Sequence, residues 1–280
     1  MKRIIHITII FILTSAAGIH AASAQEKMPD SLYALREFAK LGQMYQHPSV
    51  RLMIHMVQTS NLTAGISDSV QTDMDLYYGK PDFYMKAEGL EQISNDSMMV
   101  LVNNPAKRIM MSRHNRQIGN SIEKTLSMFI PDSSIQALSR RYRSAVGNTD
   151  DGRSKLTLTS RELIYGTNLP KETVRVIYHP VTHELVEFQQ IKTSLVPVDS
   201  LIYDQLGKED AYRGKLVTSK TAKGRLFFTA KELTITCRFD KIEYECKRPP
   251  VTEGDRLEKM ADGSYKPARG FDDYVLTNQL

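Results

Sequence analysis

The order of apolar and polar residues divides the chain into helical and strand-like stretches. Met28-Pro29-Asp30 opens a helix, and Asp30 or Ser31 can accept hydrogen bonds from its first free N–H groups. Leu32, Leu35, Phe38, Leu41 and Tyr45 then recur at helical spacing until Pro48. From Val50 to Ser112 the period falls to two. Leu52, Ile54 and Met56 alternate with Arg51, Met53 and His55; Val70, Thr72, Met74, Leu76 and Tyr78 alternate with Gln71, Asp73, Asp75 and Tyr77. Turns at Gly79–Asp82, Ser94–Asp96 and Asn103–Pro105 lead into Phe83–Ala87, Met98–Val102 and Arg108–Met111. This predicts a meander of five antiparallel strands.

Two helical segments are expected next. One carries Ile122, Leu126 and Phe129; the other, capped by Asp132-Ser133, carries Ile135, Leu138, Tyr142 and Val146 and ends at Gly147. Strand patterns resume at Leu156–Thr159, Val174–Tyr178 and Glu184–Ile191, with a hairpin connection through His179–His183. Leu195–Pro197 reads as a linker and Val198–Leu206 as strand or short helix. Lys215–Thr218, Arg225–Thr229, Leu233–Phe239 and Ile242–Cys246 read as further strands, and Phe271, Tyr274 and Val275 as docking points for a Pro- and Gly-rich tail.

Methionine sharpens this outline. Met53, Met56, Met74, Met85, Met98, Met99, Met110 and Met111 all fall within the meander. Thioether side chains are flexible and polarizable, and they suit surfaces that accept varied apolar ligands; equally, they fill gaps in a closed core. An apolar cavity is expected to be lined by Leu52, Ile54, Met56, Met74, Leu76, Met85, Met98, Val100 and Met110, with Leu126 and Phe129 from the covering helices.

The N-terminus reads as an address. Lys2-Arg3 is a basic region, Ile4–Leu13 an apolar run and Ala22-Ser23-Ala24 a small-residue cleavage site, the tripartite pattern of a signal peptide. The apolar run is shorter than the roughly 20 residues of a stable span. Cleavage after Ala24 leaves 256 residues (280 minus 24) and a net charge of +3 (5 minus 2), in the periplasm or outside the cell, with no later stretch apolar enough to span a membrane.

With 41% hydrophobic and 25% charged residues the chain is too apolar for disorder. The near-neutral charge and export argue against nucleic acid as a partner; Arg140–Arg143 reads as a solvated face. Cys237 and Cys246 flank a polar Asp240-Lys241, so a hairpin joined by a disulfide is the favoured expectation over free thiols. His179 and His183 have HxxxH spacing, but Pro180 and strand-like flanks favour turn histidines over a metal site. Asp73 and Asp75 share a strand face, which reads as exposed polar surface rather than an acid–base pair. Neither a nucleophile elbow nor a Gly-rich phosphate loop is present, so no catalytic residue, cofactor or metal is expected.

Tyr78–Gly89, with Lys-Pro before an aromatic, and Val176–Phe188 resemble the strand–turn–strand and late hairpin of the LolA/LolB-like superfamily, which includes periplasmic lipoprotein carriers and RseB-like regulators. The order helix, meander, helical insertion, strands is similar over Ser31 to about Leu195. The resemblance implies an α+β fold: an unclosed, curved antiparallel β-barrel covered by helices, with a cavity for acyl chains. Three segments are expected, namely 1–24 as signal peptide, 25–195 as the LolA-like sheet, and 196–280 as a β-rich extension or small second domain. The implied function is non-enzymatic binding of a lipid, lipoprotein acyl chain or other hydrophobic ligand. An envelope protein-interaction module with a dry core is the alternative, and a hydrolase the remote one.

Overall fold

The computed structural model describes residues 30–41, 47–62, 69–113, 132–221 and 224–279. The expected signal peptide, Tyr45, Ile122, Leu126 and Phe129 lie outside the described residues. Helix α1 (Asp30–Leu41) precedes β1 (Ser49–Ser60), β2 (Val70–Gly79), β3 (Asp82–Ala87), β4 (Leu90–Ser94), β5 (Met98–Asn103) and β6 (Arg108–Arg113). Helix α2 (Asp132–Arg141) leads into β7 (Tyr142–Asn148), β8 (Ser154–Ser160), β9 (Glu172–Tyr178) and β10 (Leu185–Val198). Helix α3 (Ser200–Leu206), β11 (Leu216–Thr221), β12 (Gly224–Tyr244), β13 (Leu257–Lys259), β14 (Tyr265–Pro267) and β15 (Val275–Gln279) complete the described chain.

Thirteen of these strands form one open, curved sheet in the order β15-β6-β5-β4-β3-β2-β1-β12-β10-β9-β8-β7, with β11 beside β12. Pairing is antiparallel except at β15, which runs parallel to β6. The 21-residue β12 lies between β1 and β10, so residues beyond 195 supply the strand at the middle of the sheet.

Five expectations change. Leu195–Pro197 is strand rather than linker, lying within β10 and paired with Phe228–Ala230 of β12. The meander has six strands, because Leu90–Ser94 forms β4. The helix from Asp132 stops at Arg141, and Tyr142 and Val146 lie on β7. Asp240-Lys241 is not a turn: β12 runs through it, and the register shift opposite Met53/Ile54 leaves Asp240 as the extra residue of a bulge. No hairpin therefore forms there, and both thiols are free. The seven residues of β12 that follow Cys237 span about 20 Å, beyond the reach of a disulfide at about 7 Å between Cα atoms.

Register assigns each strand's side chains to two faces. On the first lie Leu156, Leu158, Val174, Val176 and Tyr178, buried under Ala34, Leu35 and Leu41 of α1 and Ile135 and Leu138 of α2. We call this the helix face. The helical stripe of α1 is thus used as its spacing predicts, while Tyr33 points outward. Both helices sit at the β7–β10 end of the sheet rather than over the methionine-rich meander. The second face, over β2–β6, is covered by the chain's own C-terminal segment, with Cys246, Val251, Leu257, Tyr265, Phe271, Tyr274 and Leu276 packed on it. We call this the tail face. At the β2–β3 turn Gly79 is required by close approach, since a Cβ there would lie 2.8 Å from Ser49 Cβ.

Candidate functional site

The pairings Ile54↔Met74, Leu76↔Met85 and Gln92↔Leu101 put alternate residues of β1–β6 on the helix face. That face carries Leu52, Ile54, Met56, Met74, Leu76, Met85 and Met110 of the expected cavity, together with Tyr78, Phe83, Leu90, Met99 and Leu101. Strand β12 extends it with Ile235, Cys237, Phe239, Ile242 and Tyr244. Leu52, Met56, Met74 and Met85 are buried, but Ile54, Leu76, Phe83, Leu90, Met99, Leu101 and Phe239 remain half-exposed and Met110 is 44% exposed. The result is an apolar stripe across seven strands that is only partly covered.

Met98 and Val100 are placed elsewhere. Their register with Ile93 and Met111 sets them on the tail face, in a cluster with Val102, Ile109 and Leu257. The meander's methionines are therefore divided: Met56, Met74, Met85, Met99 and Met110 on the helix face, Met53, Met98 and Met111 on the other. Leu126 and Phe129 lie outside the described residues.

The stripe ends in a polar group that sequence reasoning missed. Two residues along β10 from Phe188, Gln190 donates through Nε2 to Glu172 at 2.5 Å. The Tyr142 hydroxyl also donates to Glu172, whose carboxylate lies 3.6 Å from Arg141. Glu172 is buried, and Gln190 is only 1% exposed, with its Oε1 unpartnered among the described residues. Burial pushes the Tyr142 hydroxyl well above the ordinary phenol value, and the Glu172 hydrogen bond adds to this. Burial lowers the Lys192 ammonium, which lies on the same face opposite Glu172. Pairings 18 and 30 residues apart leave no mark in local spacing.

The remaining candidates resolve into structural contacts. His183 is a turn residue at φ 57° whose Nε2 lies 3.2 Å from Glu37 Oε2. Burial raises the Glu37 carboxyl, but hydrogen bonds to Lys40 and His183 outweigh it and hold the group below its ordinary value. Asp73 and Asp75 each meet a separate partner rather than a common target: Asp73 lies 2.6 Å from His55 Nδ1, and Asp75 accepts from Arg51 Nε and Nη2 at 2.9 and 2.7 Å. Among the described residues no group of three or more His, Cys, Asp or Glu side chains is arranged to hold a metal, and no helix is long and apolar enough to cross a membrane.

The tail face is closed by charge as well as packing. Arg256 donates to Glu91 Oε2 through Nε and Nη2 at 2.9 and 2.8 Å, with its guanidinium 4.8 Å from the Phe271 ring centroid. Burial, with Glu91 nearby, pushes the Tyr84 hydroxyl up to about 12.

The architecture is that of an open, curved antiparallel sheet bearing helices on one face. No family model matches the chain, and no curated protein matches it closely. Among solved structures it is similar to an uncharacterized conserved protein from Thermus thermophilus, at 7% identity and a TM-score of 0.34 over 87% of this chain and 98% of that one. It is also similar to a putative outer membrane lipoprotein-sorting protein domain from Vibrio parahaemolyticus, at 9% identity and TM-score 0.28 over 81% and 95%. A LolA superfamily protein from Nitrosomonas europaea matches at 10% identity and TM-score 0.26 over 78% and 94%. The superfamily resembled in sequence thus recurs among the structural neighbours. Overlaps of this size carry no residue-level role across to this chain.

Proposed function

We propose that the chain is an exported, non-enzymatic binding protein that holds an acyl chain or similar apolar ligand on its helix face. The observation that carries this reading is the half-exposed stripe formed by Ile54, Leu76, Phe83, Leu90, Met99, Leu101, Met110 and Phe239. Water leaves that surface when hydrocarbon covers it, at about 0.8 kcal/mol per buried CH₂. Flexible Met99 and Met110 adapt to chains of differing shape. The signal-like N-terminus supports a periplasmic or extracellular location.

Native mass spectrometry of the purified protein, with displacement of a fluorescent fatty-acid probe, tests the proposal. A co-purified lipid, or probe binding lost in Leu76→Glu and Leu101→Glu, is the expected result. Absence of any bound lipid together with no probe binding overturns it.

A further inference from the structure

Strands β10 and β12 run on past β9, pairing Thr193–Val198 with Phe227–Glu232, and β11 adds to the other side of β12 at Gly224–Thr229. These three strands form a lobe at one end of the sheet. Helix α3 covers its helix-face side, where the Tyr203 ring lies 4.9 Å from Phe227. The loop 161–171 crosses the other side. Gly166, at φ 74°, passes so close to Val217 that a Cβ would lie 2.9 Å from its Cγ1, and Thr193 N donates to Lys171 O at 2.9 Å.

This lobe exposes large apolar side chains out of proportion to its size. Eleven such side chains are exposed among the described residues, and five belong here: Leu163, Tyr165, Leu201, Ile202 and Leu226. Tyr165 is 80% and Leu201 67% exposed, values at which side chains add nothing to the fold's own core. The hairpin between them is cationic. From Tyr212 to Lys231 the chain carries Arg213, Lys215, Lys220, Lys223, Arg225 and Lys231 and neither Asp nor Glu. Lys215 meets Glu232 at 2.6 Å, and Asp199 is engaged as the cap of α3, accepting from Ile202 N at 2.8 Å. The other acids of the lobe are Asp204, Glu209 and Asp210, in α3 and the turn after it, and Glu162 in the loop, which meets Lys171 at 2.8 Å.

We propose that this lobe is a docking surface for an anionic lipid bilayer. Leu163, Tyr165, Leu201, Ile202 and Leu226 enter the interfacial layer, while Lys220 and Arg225 meet lipid phosphates. Short apolar protrusions beside basic side chains bind a membrane surface without spanning it, and the charge contribution weakens as salt rises. Charge complementarity selects the lipid surface over a purely apolar occupant. The proposal stands apart from the acyl-chain site: β12 reaches both, but through Ile235–Tyr244 there and Gly224–Glu232 here.

Sedimentation of the full chain with vesicles tests it. Vesicles containing phosphatidylglycerol are expected to retain the protein, those of phosphatidylcholine alone much less, and added salt to release it. Leu201→Glu combined with Leu226→Glu is expected to weaken retention by about tenfold or more, and Lys220→Glu with Arg225→Glu to abolish the preference for anionic lipid. Val181→Glu, at an 87% exposed site in the β9–β10 turn, serves as control and leaves binding unchanged. Failure to bind anionic vesicles, full binding by the lobe variants, or equal loss in the control overturns the proposal. So does a concentration-dependent dimer, seen by size-exclusion chromatography, that these variants dissolve in the absence of any vesicle binding.

Discussion

The two faces of the sheet use similar residues to opposite effect. Over β2–β6 the tail face buries Val100, Val102, Ile109 and Met111 completely beneath the chain's own C-terminal segment, and a pair between half-buried Arg256 and buried Glu91 fastens the cover. A few residues away through the same strands, the helix face leaves Leu76, Leu101 and Met110 partly open. Hydrophobic content alone does not separate the faces. What separates them is whether the chain brings a cover of its own, and a side chain left half-covered in a sheet this long is available to something else.

The largest expected effect breaks the closed face. Arg256→Ala leaves Glu91 buried with Lys86 and Asn104 as its remaining side-chain partners among the described residues, and urea unfolding is expected to show a loss of about 3 kcal/mol. Ile109→Ala opens a void under the tail at a similar or slightly smaller cost, about 2–3 kcal/mol by the same measurement. Leu101→Ala, on the open face, is expected to cost about 1 kcal/mol or less while weakening fatty-acid probe binding several-fold; equal destabilisation at Leu101 and Ile109 would erase the distinction between the faces.

Acid gives a smaller effect. The folded state holds Glu37 below its ordinary value of 4.5, so its contribution to stability is present above that pH and lost as pH falls through the lowered value. Unfolding midpoints followed downward from pH 4.5 are expected to fall less steeply in Glu37→Gln than in the unaltered chain. The smallest effect concerns sulfur. Cys237 packs on the helix face with Met56 and Ile235, whereas Cys246 packs on the tail face, and burial pushes the Cys237 thiol up to about 12. A reducing agent is expected to leave the melting temperature unchanged, and a native thiol titration to detect Cys246 ahead of Cys237.

Strict alternation makes β1, β2 and β3 legible, and the α1 stripe follows from its spacing. The misreadings share one cause, a local pattern overruled by distant partners. Leu90–Ser94 carries Glu91 and Gln92 at its centre, which breaks the apolar–polar alternation; Arg256, 165 residues away, is what allows Glu91 to be buried in a strand. Leu138, Tyr142 and Val146 keep helical spacing, yet Tyr142 is drawn into a strand, where its hydroxyl reaches Glu172. Asp240-Lys241 resembles a turn because a bulge also admits polar residues. Alternation identifies the apolar side chains of the candidate site but not the face each occupies, since register rather than spacing sends Met98 and Val100 to the tail face.

The position of β12 has a consequence for the order of folding. Strands β1–β6 and β7–β10 meet only through it, and Ser49 bonds to a carbonyl 197 residues later, at Cys246. Such pairing requires closure of a very long loop before any of its hydrogen bonds form. The two half-sheets thus remain unstitched, with β1 and β10 as open edges, until β12, near the end of the chain, is available to pair. Assembly is expected to be slow and late, and a chain truncated before Gly224 to expose two sticky strand edges in place of one finished sheet.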